Sequence, residues 1–197
     1  MKVIKTEQDY EPIRIGIEKI LNKEKSLPEY IYRQAYKFFL FITFDELFMP
    51  LFFNHLKRYL QATGENKFLL ASIDPDPKHY FAAHFNFYGV VEFCSSDTEE
   101  EYLAALNDYP VDNPADALAH NTNSLVLFSA GYEWAIYGDR NSDIAICAFT
   151  DKTQMELFQF IYGYDLLDGV KAAAEYAYGD SGNSKLRATL YSSYSFD

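Results

Sequence analysis

The sequence predicts an α+β fold, with an antiparallel sheet of about five strands, a helical N-terminal part and C-terminal helices packed on the sheet. Three observations lead to this prediction. Residues 1–66 carry apolar side chains at helical spacing, residues 67–149 change to short apolar runs separated by turns, and residues 150–180 return to helical spacing. Because short turns join the strand-like runs, we expect hairpins instead of crossovers, and one domain formed by residues 1–197.

Three helices are predicted in the N-terminal part. The first begins at Pro12, since proline is tolerated at a first helical position. The second begins at the capping-box sequence of residues 26–29 and continues to Ile42. The third starts soon afterwards, is kinked or restarted at Pro50, and ends at Gly64, which is a typical C-terminal cap.

The middle of the chain predicts strands and one acidic helix. That helix covers residues 98–107, with Ser96 or Asp97 as its cap, and a proline-containing loop follows over residues 108–122. The predicted strands cover residues 68–73, 80–93, 124–130, 133–137 and 143–149, and the last three form an antiparallel meander.

Two helices are predicted near the C-terminus. The first is capped by Asp151 and broken at Gly163, and the second runs from about residue 165 to residue 178. Residues 181–197 are polar and rich in Ser and Tyr, and we predict a tail without regular structure there.

The net charge of −12 is unevenly distributed along the chain. Residues 79–139 contain no lysine or arginine but ten carboxylates, which are Glu92, Asp97, Glu99, Glu100, Glu101, Asp108, Asp112, Asp116, Glu133 and Asp139. This charge argues against direct binding of nucleic acid, which requires a basic face. It favours a basic protein or a cation as partner, and the alternative is an acidic surface that only aids solubility.

The sequence also predicts a cytoplasmic location. The first residues contain no apolar stretch of signal-peptide length, and the apolar run of residues 38–53 is interrupted by Asp45, Glu46 and Pro50, so no membrane span is expected. Cys94 and Cys147 both lie at the ends of apolar runs and are interpreted as reduced core thiols.

No catalytic motif is found, and we predict no catalytic residue, metal or cofactor. Residues 69–76 resemble the start of a haloacid-dehalogenase-type phosphatase, in which a strand delivers a nucleophilic aspartate. Here both aspartates, Asp74 and Asp76, precede prolines, which favours a turn between strands. A small metal-dependent hydrolase that uses Asp74, Asp76, His79 or His84 is retained as an alternative.

The sequence Ala130-Gly-Tyr-Glu-Trp-Ala-Ile-Tyr-Gly-Asp-Arg140, followed by Asp143-Ile-Ala-Ile, resembles a segment of bacterial immunity proteins. These proteins belong to polymorphic-toxin and contact-dependent growth inhibition systems, and in them a Trp-containing strand, a Gly-Asp or Gly-Glu turn and a second apolar strand form a hairpin. The resemblance implies a non-enzymatic protein that binds and neutralises a cognate toxin inside the producing cell.

The charge distribution is compatible with that function, because toxic nuclease domains tend to be basic and an acidic inhibitor would be steered to them. The predicted partner-binding residues are Asp97, Glu99, Glu100, Glu101, Asp108, Asp112, Asp116, Tyr132, Glu133, Trp134 and Asp139. The two aromatic residues are candidate interface anchors, although packing in the core is an open alternative for Trp134. An acidic adaptor with another protein partner is a third possibility, since it would have the same charge pattern.

Overall fold

An antiparallel sheet runs through the centre of the fold in the computed structural model, which describes residues 1–110, 113–179 and 183–195. Its seven strands lie in the order β1-β4-β3-β5-β6-β7-β2 within these residues. The strands are β1 Lys2–Val3, β2 Phe38–Thr43, β3 Lys67–Asp74, β4 Val90–Cys94, β5 Ser124–Ser129, β6 Trp134–Asp139 and β7 Ile144–Phe149.

Helices cover both faces of the sheet. Over the same residues they are α1 Glu7–Ile20, α2 Pro50–Thr63, α3 Ala83–Phe85, α4 Glu99–Asn107, α5 Leu118–Asn121, α6 Lys152–Tyr162, α7 Gly169–Tyr178 and α8 Ser184–Tyr194. Buried residues of α2, α4, α5 and α6 form an apolar cluster on one face, and those of α1, α7 and α8 form a second cluster on the other. The sheet is therefore the middle of three layers.

Side chains of the central strands alternate between these two clusters. In β5, Leu125 and Leu127 belong to the cluster with α2, whereas Val126 and Phe128 belong to the cluster with α1. Every residue of β5, β6 and β7 is buried. A strand covered on both faces needs a continuous apolar sequence. This explains why apolar and polar residues do not clearly alternate in these three strands.

The predicted class, a mixed fold around an antiparallel sheet, is confirmed. The meander is formed by β5, β6 and β7, and β3 covers the predicted strand at residues 68–73. Helix α2 ends at Gly64, whose φ is 76°, in the left-handed region that glycine adopts without strain. Asp151 caps α6 by accepting hydrogen bonds from the N–H groups of Thr153 and Gln154.

The predicted second helix is wrong. Residues 22–37 form turns and a single bridge between Leu21 and Tyr32, and Phe38–Thr43 is strand β2, paired with β7 along its whole length. The helical spacing of its apolar residues misled the prediction, because a six-residue run that consists mainly of aromatic and β-branched side chains suits a strand equally well.

Other predictions also need correction. Helix α1 begins at Glu7, after its cap Thr6, and not at Pro12, which lies inside the helix. Residues 80–89 are not strand, because Asp76 caps a helical turn that starts at Pro77–Ala82 and continues into α3; only Val90–Cys94 pairs in the sheet. The predicted tail contains α8, whose Leu190 is buried. The sheet has seven strands instead of about five because β1 and β2 were not predicted. Within the described residues, no helix combines the length and the apolar character that a membrane span requires.

Candidate partner-binding surface

The acidic helix α4 presents three carboxylates in its first turn. Thr98 caps the helix, and its side chain and that of Glu101 form a reciprocal capping box. The Glu99 carboxylate accepts a hydrogen bond from the Asn54 side chain of α2, so it also contributes to packing between helices. Glu100 and Glu101 are exposed and have no cationic partner among the described residues. Two of the three carboxylates therefore face solvent.

Asp97 is a structural residue in this arrangement. Its side chain is buried, and its two oxygens accept hydrogen bonds from the Met1 ammonium group and from the N–H of Cys94, both at 2.7 Å. The nearby Lys57 ammonium group donates to the Asp97 carbonyl oxygen at 2.9 Å. These contacts join the start of the chain, strand β4 and helix α2, so Asp97 is not available to a partner.

The loop after α4 contains three predicted residues in different environments. Asp108 is exposed and ends α4, where it forms no ion pair with the described residues. Asp112 lies outside the described residues. Asp116 is half-buried and accepts hydrogen bonds from the hydroxyl of Tyr80 and from the side chains of Asn113 and Asn121. Asp116 thereby holds the loop against the helical turn that contains Tyr80.

The β5–β6 hairpin carries Tyr132, Glu133 and Trp134. Trp134 is 1% exposed, and its indole N–H donates to a Glu65 carboxylate oxygen at 3.0 Å, so its ring belongs to the core. Tyr132 is half-buried with a positive φ of 59° and stacks on Phe128. Glu133 is exposed and contacts only Gln154 at 3.4 Å among the described polar side chains. Glu133 is therefore the residue of this hairpin that presents charge to solvent.

Asp139, at the opposite end of β6, is buried and accepts hydrogen bonds from the N–H and the hydroxyl of Ser142, each at 3.0 Å. These bonds fix the turn between β6 and β7. The structure therefore divides the predicted set. Asp97, Trp134 and Asp139 stabilise the fold, whereas Glu100, Glu101, Asp108 and Glu133 are exposed without a cationic partner among the described residues.

The residues of the alternative hydrolase site lie at the end of β3. The Asp76 carboxylate is 3.0 Å from His79 Nδ1, and Asp74 accepts a hydrogen bond from the Asn123 side chain at 3.0 Å. Burial raises the pKa of Asp76, but the N–H groups of His79 and Lys78 oppose it and leave the pKa below its usual value. His84 is exposed on α3.

Asp74, Asp76 and Asp139 line a polar cavity of about 380 Å³ together with Lys23 and Lys25. The two lysines balance much of the negative charge. In the part of the chain that the structure describes, no group of three or more His, Cys, Asp or Glu side chains is placed to hold a metal ion.

A groove that the sequence did not predict lies between the start of α2 and the end of α6. It has a volume of about 460 Å³, and residues 49–52 and Tyr162 form its mainly apolar walls. Glu46 and Asp165 contribute carboxylates to the same groove. Met49 is 50% exposed and Leu51 is 55% exposed, which leaves apolar surface open to solvent beside two acidic groups.

The charged side chains that line this groove are both acidic. Glu46 is half-buried and accepts a hydrogen bond from the Tyr162 hydroxyl. Burial is the main reason that its pKa is raised, and the charge of Asp165 adds to the effect. Asp45 and Asp143 also lie close enough to influence the neighbouring Tyr176, whose hydroxyl donates to Asp143 at 2.9 Å. None of these four carboxylates forms an ion pair with a described residue.

The sequence contained a weak signal for this groove, because Asp45 and Glu46 interrupt the apolar run of residues 38–53. The two acids alone do not indicate a groove, since the packing of α2 against α6 is not visible in the sequence. The exposed carboxylates and this groove are thus the features from which a function can be inferred. Comparison of the chain with protein-family models, with curated protein sequences and with solved structures gave no match.

Proposed function

We propose that this protein is an immunity protein that binds a basic protein toxin and neutralises it. The observation that supports this proposal is the set of exposed carboxylates between residues 79 and 139 that have no cationic partner among the described residues. Unpaired carboxylates at this density repel one another and oppose folding, and attraction of a basic partner gives them a function. The hairpin that resembles those of immunity proteins adds independent support.

The mechanism follows from long-range attraction. Exposed carboxylates on α4 and on the β5–β6 hairpin create a negative potential that steers a basic protein toward this surface. Where the toxin is a nuclease, its basic substrate-binding face is the part that the potential attracts, and an inhibitor bound there excludes the nucleic acid. Catalysis by the inhibitor is not needed for this function.

A charge-reversal variant tests the electrostatic part of the proposal. Glu100→Lys, Asp108→Lys and Glu133→Lys change three exposed carboxylates that form no ion pair with described residues. We expect the association rate with the toxin encoded beside this protein to fall by about tenfold at low salt. The difference should shrink as the salt concentration rises, because salt screens interactions between exposed charges.

The matched control is Glu24→Lys, Glu29→Lys and Asp168→Lys, which changes the net charge by the same amount on other exposed parts of the chain. Equal association rates for the two triple variants would contradict the assignment of the surface. The absence of any toxin gene beside this one, together with no basic protein retained at low salt, would contradict the function itself. Retention of a basic protein that is not a toxin would instead place the chain among acidic adaptors.

A further inference from the structure

The groove between α2 and α6 has the composition of a site for an amphipathic cation. Its walls are the aliphatic and aromatic side chains of residues 49–52 and Tyr162, and its charged groups are the carboxylates of Glu46 and Asp165. No lysine or arginine among the described side chains lines it, and neither carboxylate forms an ion pair with a described residue. An anion would be repelled, and a purely apolar ligand would bury the Glu46 carboxylate further with only the hydrogen bond from Tyr162 and no cationic partner.

We infer that this groove binds an arginine side chain that the basic partner presents beside an apolar residue, an inference that rests on the proposed function. The aliphatic stem of the arginine packs against Pro50 and Leu51, and the guanidinium group binds the carboxylates of Glu46 and Asp165. Arginine fits better than lysine, because its planar group is weakly hydrated and presents several N–H donors in a fixed geometry, which two carboxylates can accept at the same time.

Several observations support a protein side chain as the occupant. Met49 and Leu51 expose about half of their surface at the rim, where they are able to contact an apolar neighbour of the arginine. Methionine and aromatic residues are enriched in the centres of protein interfaces, and a few buried anchors carry most of the binding energy there. The volume of about 460 Å³ accommodates one long side chain and part of its neighbour.

A pair of short peptides tests the inference without the toxin. One peptide places arginine between two leucines, and the other replaces the arginine by citrulline, which has nearly the same shape but no charge. In NMR titrations we expect the arginine peptide to shift the methyl signals of Met49 and Leu51, and the citrulline peptide to bind about tenfold more weakly. In the double variant Glu46→Gln/Asp165→Asn this preference should disappear.

The control variant is Asp168→Asn, which removes an exposed carboxylate outside the groove and should retain the preference for arginine. Equal binding of the two peptides, or shifts confined to other parts of the surface, would overturn the inference. A second test separates it from the proposed function. If Glu46→Gln/Asp165→Asn binds the toxin as tightly as the wild-type protein while the triple charge reversal binds weakly, the groove is not the anchor site and the proposed function stands.

Discussion

Replacement of the single tryptophan tests how much the hydrogen bond between its indole and Glu65 contributes to the stability of the fold. Trp134 is 1% exposed, and its indole N–H donates at 3.0 Å to the half-buried carboxylate of Glu65. Its ring also makes an edge-to-face contact with Tyr59, with 6.1 Å between ring centroids. In Trp134→Phe the aromatic contact is kept in part, whereas the hydrogen bond is lost.

The expected loss of stability is about 3 kcal/mol. A hydrogen bond to a charged group contributes about 1.5–3 kcal/mol, and the smaller ring buries less apolar surface, which costs about 1 kcal/mol more. Glu65 is then left half-buried without its indole donor, and its pKa, already raised mainly by burial, should rise further. Glu65→Ala removes the same bond from the other side, so the two substitutions are expected to be strongly non-additive.

Urea unfolding followed by far-ultraviolet circular dichroism measures these free energies, since tryptophan fluorescence is absent from the variant. A double-mutant cycle of Trp134→Phe and Glu65→Ala should give a coupling energy of about 1–2 kcal/mol. A cost below about 1 kcal/mol for Trp134→Phe, or the same cost in the Glu65→Ala background, would refute this account of the hairpin. The affinity of the folded variant for the proposed basic partner should be unchanged, because the indole ring is not on the surface.

Three other substitutions have defined expectations. Gly138→Ala should destabilise the protein by about 1–3 kcal/mol in urea unfolding, because a Cβ at this position would lie 2.6 Å from Leu47 Cδ1; an unchanged midpoint would mean that the core relaxes freely. Asp97→Ala should cost about 2–3 kcal/mol, since it leaves the Cys94 N–H without its acceptor, and it should increase hydrogen exchange at that amide. Glu46→Gln should be more stable than the wild-type protein at pH 7 and lose this advantage below about pH 4.5. Between about pH 4.5 and the raised pKa of Glu46, the folded state still holds a proton that the unfolded state has released. The wild-type protein therefore loses stability as the pH rises through this range, and the loss persists at pH 7. Thermal unfolding at both pH values checks this, and an equal advantage at both would contradict it.

Local patterns predicted the parts of the fold in which local and tertiary preferences agree. Gly64 ends α2 and Asp151 starts α6, because a left-handed glycine and a capping carboxylate act through their own backbone neighbourhood. The meander of β5, β6 and β7 could also be predicted from the sequence, since short turns join its strands. For Phe38–Thr43, by contrast, the choice between helix and strand depends on pairing with Ile144–Phe149, about a hundred residues away in sequence.

The candidate surface was predictable only as a distribution of charge. The sequence identifies the carboxylates of residues 79–139. It does not show that Asp97 and Asp139 are buried and accept hydrogen bonds from backbone N–H groups, whereas Glu100 and Glu133 remain exposed. That division depends on which side chains the sheet and its turns enclose. The groove at Glu46 could not be predicted, because its two walls come from segments more than a hundred residues apart.

The two outermost strands of the sheet limit how another chain can attach to it. One edge is β1, which pairs through only two residues, and at the other edge the carbonyl of Phe41 in β2 already accepts a hydrogen bond from the N–H of Leu167 at 2.8 Å. An added strand needs a row of free backbone groups, so β1 is too short to serve as a template, and a strand added along the whole of β2 would have to displace the segment at Leu167. A partner is therefore expected to recognise this protein through side chains, which makes specificity sensitive to single substitutions on its surface.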